Sequence, residues 1–173
     1  MKKIESVYRE ILYRTIEKKE FQLTQSELSK KLNLSLSIVN LAVKKLESIG
    51  AIKIMQRSFK VIDVKKILYF WASARNLEKD IIFKKRINMP VREIERNIPD
   101  ITFTAYTAYK FQFKDTPADY SEVYIYADEK ELEIIKKRFP KTEDEKKSNL
   151  IVLKKDETLN LYKTLPIPQI FVD

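Results

Sequence analysis

The chain has 173 residues, 44% of them apolar and 34% charged, with a net charge of +9 and no cysteine or histidine. That size and balance suit one or two folded domains, and no apolar stretch approaches the roughly 20 residues of a membrane-spanning helix. Without Cys and His there is no disulfide, no Cys/His zinc site, no thiol nucleophile and no imidazole base, and a single glycine, Gly50, leaves no glycine-rich phosphate cradle. No catalytic residue, metal or cofactor is therefore expected. The opening Met1-Lys2-Lys3-Ile4-Glu5 leads into an amphipathic pattern rather than a secretory leader, so a cytoplasmic protein is expected.

Residues 3–18 carry Ile4, Val7, Tyr8, Ile11, Leu12 and Ile16 at intervals of three and four, which predicts an amphipathic helix. Phe21-Gln22-Leu23 reads as a short extended link. Thr24 then stands three residues before Glu27, the spacing of a capping box, and predicts a second helix over Gln25 to Leu32 that buries Leu28 and Leu32. Asn33-Leu34-Ser35 is a polar turn, with Ser35 placed to cap a third helix running to about Ser48. In that helix Ile38, Val39, Ala42, Val43, Leu46 and Ile49 make the apolar face, leaving Ser37, Asn40, Leu41, Lys44 and Lys45 outside or at its margin.

Gly50 follows where a helix ends in a left-handed residue. Residues 51–55 and 59–62 alternate as strands about Gln56-Arg57-Ser58, predicting a hairpin with a basic tip. Asp63 is placed to cap a helix with Val64, Ile67, Leu68 and Trp71 on one face, continuing to about Asn76. Trp71 belongs to a core or to a seam between subunits.

Further on, Ile81-Ile82-Phe83 reads as a strand, Pro90 opens a short helix over 90–97 closed by Pro99, and Ile101-Thr102-Phe103 is extended. Ser121 to Ala127 alternates with Val123, Ile125 and Ala127 on one face, Asp128 caps a helix through Phe139, Lys141 to Ser148 is a charged loop, and residues 149–153 make a buried strand. This strand–helix–strand succession predicts a right-handed crossover in a small sheet. The fold class expected is α+β, with an N-terminal winged helix-turn-helix over 1–62, a linking helix over 63–79 and a small mixed α/β domain over 80–173.

Charge is not spread evenly. Residues 1–62 hold 13 Lys and Arg against 6 Asp and Glu, whereas residues 63–173 hold 21 against 19. A positive excess confined to one segment points to nucleic acid, because cations that neutralise phosphates release condensed counterions. The alternative is a solvated lysine-rich surface.

Helix, helix, polar turn, helix, Gly50 and basic hairpin occur in order within about 62 residues. The run Asn33-Leu34-Ser35-Leu36-Ser37-Ile38-Val39-Asn40-Leu41-Ala42-Val43-Lys44-Lys45-Leu46-Glu47-Ser48-Ile49-Gly50-Ala51-Ile52 resembles the recognition segment of winged-helix regulators of the multiple-antibiotic-resistance repressor type. The resemblance implies a sequence-specific binder of double-stranded DNA, its third helix in the major groove and its hairpin, the wing, on the flanking backbone or minor groove. It places Ser35, Ser37 and Asn40 against DNA, with Asn40 suited to an adenine edge and the serines to phosphate. Thr24 and Gln25 at the start of the second helix complete the candidate set with Lys44, Lys45, Arg57 and Lys60. Lys30, Lys31 and Lys53 are further cations for phosphates. Leu41 departs from the pattern, since relatives often carry arginine or another polar reader there, and points to a thymine methyl or to packing.

The segments Phe103-Thr104-Ala105-Tyr106-Thr107-Ala108-Tyr109, 121–126 and 149–153, behind a winged helix, look like the abortive-infection AbiEi type of antitoxin regulator and related archaeal regulators. That resemblance implies a non-catalytic nucleotidyltransferase-like domain in the second half and a toxin or other protein partner contacted through residues 63–173. The Gly-Ser turn and paired metal-binding aspartates of a working transferase are missing, and Asp119, Glu122 and Asp128 read as surface or capping residues. A homodimer is expected, because one helix reads only a few base pairs. The competing reading is a nucleotidyl-transfer enzyme tethered to nucleic acid by its winged helix.

Overall fold

The apolar periodicity of the first segment produces α1, Lys3–Glu17, which buries Val7, Tyr8, Ile11 and Leu12 on one face. The computed structural model describes residues 1–116, 118–139 and 147–173. Within them the fold is α+β, and the chain divides into two units: Met1–Arg75 with Pro166–Val172, and Asn76–Leu165 with Asp173.

In the first unit α1 is followed by β1 (Gln22–Leu23), α2 (Gln25–Leu32), α3 (Leu36–Ser48), β2 (Ile52–Ile54), β3 (Phe59–Val61) and α4 (Val64–Ala74). The three strands form one antiparallel sheet in the order β1-β3-β2. Leu28 and Leu32 of α2, and Val39, Ala42, Val43 and Leu46 of α3, join the α1 face in a single core closed by Leu23, Ile52, Phe59 and Val61 of the sheet. Ile38 and Ile49 of α3, expected on the apolar face, sit half-buried at its edge. Gly50 has φ +69°, the left-handed position that ends α3 and turns the chain into β2.

The helix over 63–79 was expected to link two halves, and the structure corrects this. Asp63 does cap it, accepting from the Lys66 N–H at 3.0 Å, but α4 ends at Ala74 and packs into the first unit. The reason is Trp71, fully buried in that core, whose indole N–H donates to the Glu5 carboxylate of α1 at 3.1 Å. Arg75 lies 3.6 Å from the same carboxylate, so the buried acid is paired. The division falls at 75/76 instead of 62, and Trp71 is a core residue.

The second unit holds β4 (Ile81–Lys85), α5 (Val91–Asn97), β5 (Thr102–Thr104), α6 (Ala105–Phe113), β6 (Val123–Ala127), α7 (Glu129–Arg138) and β7 (Leu150–Lys154). Its sheet runs β4-β7-β6-β5, antiparallel except for the parallel β6/β7 pair. That parallel pair needs the crossover the sequence predicts, and α7 supplies the helix between the two strands. Asp128 and Glu131 cap α7 reciprocally, each side chain accepting at 2.8 Å from the other residue's backbone N–H. Val123, Ile125 and Ala127 are fully buried against Ile94, Ile135 and Phe139, as their alternation predicts. The predicted charged loop falls largely on 140–146, outside the described residues.

Two helices were not foreseen. One is α6. The other is α8, Ile167–Val172, which returns to the first unit and packs against α1 and α4. There Gln169, fully buried, accepts from the Arg9 guanidinium of α1 at 3.1 Å.

Candidate nucleic-acid interface

The turn between α2 and α3 is held by its own polar groups. Asn33 ends α2 in the left-handed region at φ 50°, which asparagine tolerates better than most residues. The Ser29 hydroxyl donates to the Leu34 carbonyl at 2.6 Å, and the Leu34 N–H donates to the Ser29 carbonyl at 3.1 Å. This fixes the entry of α3, the helix expected in the major groove.

Thr24 accepts from the Glu27 N–H at 3.2 Å and so is committed to capping α2. Ser35 occupies the position before α3, yet its side chain makes no cap; its hydroxyl instead meets that of Ser37 at 2.9 Å, and both are exposed. The first turn of α3 also lacks an acidic residue. The Ile38 N–H is taken by the Ser35 carbonyl at 3.1 Å, so the Leu36 and Ser37 N–H groups and the two hydroxyls are the donors that the start of α3 offers to an anion.

Asn40 is half-buried, and its amide nitrogen donates to the Gln25 side-chain oxygen of α2 at 3.1 Å. Two candidates read separately from the sequence are therefore one unit. With that bond made, the pair presents the Gln25 NH2 as a donor and the Asn40 oxygen as an acceptor, matching the acceptor and donor of an adenine edge. Lys44 and Lys45 are exposed one turn further along.

Leu41 is exposed by 51%, so packing does not account for it. Leu36, which sequence reasoning passed over, is exposed by 55%. The available signal was spacing: Leu36, Asn40 and Lys44 follow at i, i+4 and i+8 on one stripe of the helix. Two exposed leucines beside an amide pair suit thymine methyl groups.

In the wing, alternation puts Phe59 and Val61 inward and Lys60 outward. Lys60 pairs in register with Lys53 on one side and Gln22 on the other, and all three are exposed. Like charges directly opposite across strands destabilise a sheet, and the exposed pair concentrates positive charge on this face. Exposed Arg57 lies in the tip, and Gln22 braces the tip by donating to the Ser58 hydroxyl at 3.1 Å. Gln22 is a second residue that sequence reasoning missed.

Lys31 is a correction. Its ammonium lies 2.8 Å from the fully buried Glu10 carboxylate, which also binds Arg14 at 2.7 Å, and stands over the Tyr13 ring. It neutralises an internal acid, whereas its neighbour Lys30 is exposed.

Residues 9–53 match the family model for winged helix-turn-helix DNA-binding domains. The match runs from α1 through most of β2, leaving Arg57 and Lys60 beyond it. No curated protein and no solved structure matches the chain. Among the described residues no helix is long and apolar enough to cross a membrane, and no group of three or more acidic side chains could hold a metal ion. The N-terminal part of this chain has the winged helix-turn-helix fold, and its residues 9–53 are similar to winged helix-turn-helix DNA-binding domains.

Proposed function

We propose that the protein is a sequence-specific, double-stranded DNA-binding transcriptional regulator that works as a homodimer. The observation that carries this reading is the combination of the polar start of α3, the Gln25–Asn40 amide pair between α2 and α3, and exposed Lys44 and Lys45 on α3 with a wing bearing an opposed Lys53–Lys60 pair. The pair and the exposed leucines read bases in the major groove, while Ser35, Ser37 and the lysines hold phosphates. Arg57 reaches the flanking backbone or minor groove. Dimerisation doubles the few base pairs one α3 can read and matches a two-fold operator.

Residues 76–165 serve, in this reading, as a non-catalytic module that regulates the DNA binder or meets a protein partner. Selection of bound fragments from the source genome tests the reading. One sequence should be enriched, with affinity falling steeply as salt rises. Equal affinity for all duplexes would remove the claim of specificity. Steady incorporation of labelled nucleotide in the presence of magnesium would overturn the non-catalytic assignment.

A further inference from the structure

The second unit contains a cleft of about 470 Å³. Its walls are Phe103, Phe111, Leu159 and Leu165, with the two phenylalanine rings edge to face at 5.3 Å. Gln112 and Lys163 are among its polar lining residues, and no carboxylate lines it. Lys163 is exposed and makes no hydrogen bond or ion pair among the described residues. An apolar cleft of this size with few polar groups is the usual form of a small-molecule site. One unpaired ammonium with no competing acid selects the sign of the ligand's charge.

The chain that forms this cleft also carries α8. Leu159 to Leu165 line one side and run directly into Pro166–Val172, which belongs to the first unit. Beyond α8, Asp173 accepts from the Thr104 hydroxyl at 2.8 Å and from the Tyr126 hydroxyl at 2.5 Å. Thr104 directly follows Thr102 and Phe103, which line the cleft. The chain thus enters α8 from the cleft-lining Leu165 and leaves it at Asp173, and within the first unit α8 packs on α1, and α1 on α3.

We propose that this cleft binds a small monocarboxylic acid with an aromatic or branched apolar body, and that its occupancy changes DNA affinity through α8. The second clause rests on the DNA-binding reading above; the first does not. Calorimetry on the full chain with 4-phenylbutyrate, 4-phenylbutan-1-ol and 4-phenylbutylamine tests the site. The acid should bind tightest, about three- to fivefold better than the alcohol, as one exposed ion pair allows, with the amine weakest. Lys163→Gln should bring the acid down to the alcohol's level, and Thr164→Trp, an exposed position on the cleft lining, should weaken all three. An amine that binds as well as the acid, an acid preference that survives Lys163→Gln, or absence of millimolar binding by any probe overturns the site.

The coupling is read separately, as the change in affinity for a selected DNA fragment at saturating 4-phenylbutyrate. A shift of about twofold or more is expected, with DNA changing the acid's affinity by the same factor. Unchanged DNA affinity overturns the coupling. A chain that binds the acid in the predicted order but no DNA retracts the DNA-binding reading and leaves the site standing.

Discussion

The amide nitrogen of Asn40 donates to the side-chain oxygen of Gln25 at 3.1 Å, joining α3 to α2. The bond orients both amides before DNA arrives, so less side-chain freedom is lost on binding. Gln25→Ala and Asn40→Ala should each cost about 1–3 kcal/mol of discrimination at one base pair. Because they act as one reader, the double variant should lose clearly less than the sum. Affinities for the selected fragment and its single-base variants complete the cycle, and strict additivity would show that the two amides read independently.

The opposed lysines of the wing trade stability for charge. Lys60→Gln should raise thermal stability by a few tenths of a kcal/mol, since it relieves repulsion from Lys53 across the hairpin. The same change should weaken binding to all duplexes alike and reduce the salt slope by about 1. Melting curves and binding at several salt concentrations check both halves. Lower stability, or a loss confined to one sequence, would contradict the assignment of Lys60 to phosphate.

Lys30 and Lys31 are neighbours in different surroundings, Lys30 exposed and Lys31 paired with Glu10. Lys31→Ala removes a cation from the buried Glu10 and should destabilise the first unit by on the order of 1 kcal/mol, Lys31 being partly solvated. Its salt slope for DNA should not move. Lys30→Ala should leave the melting temperature within error.

Tyr8 supplies a pH test. Burial first, and the nearby Glu5 carboxylate second, push its phenol up from 10.0 to about 12. The unfolded chain ionises this group near 10 while the folded chain keeps it neutral, so its stabilising share is complete below pH 10. That share is lost as pH rises from about 10 to 12, up to on the order of 2 kcal/mol. Tyr8→Phe should therefore flatten the alkaline fall in melting temperature over this window. Tyr124, also raised to about 12 by burial and its bond to Glu122, contributes a second such loss in the other unit.

Gly50 has room for a methyl group: a Cβ there would meet the Lys66 ammonium at 3.7 Å, an ordinary contact. The cost of Gly50→Ala is therefore conformational, about 1 kcal/mol for a left-handed φ. Chemical denaturation measures it, and a neutral effect would mean that the turn relaxes.

The winged helix was legible because its signals are local. Thr24 with Glu27, Asn33 at the turn, the spacing from Ile38 to Ile49 and a lone glycine each act within a few residues. The second unit was legible where alternation was strong, as at 123–127, and where Asp128 and Glu131 made a cap. It was not legible at α6, where Tyr106, Tyr109, Phe111 and Phe113 make no clear apolar stripe and three of the four remain exposed. Nor was α8, only six residues long, whose partner Arg9 lies 160 positions away.

The sequence alone therefore determined the order of the elements, the ends of most helices and the positive excess of the first segment, since capping, periodicity and turn preferences are short-range effects. Tertiary structure alone decided what the charges and amides do. It turned Lys31 inward to Glu10 and left Lys30 in solvent, joined Asn40 to Gln25, set Lys60 opposite Lys53, and drew α4 and α8 onto α1 through Trp71 and Gln169. Such pairings follow from packing between residues far apart in the chain, and neither composition nor spacing encodes them.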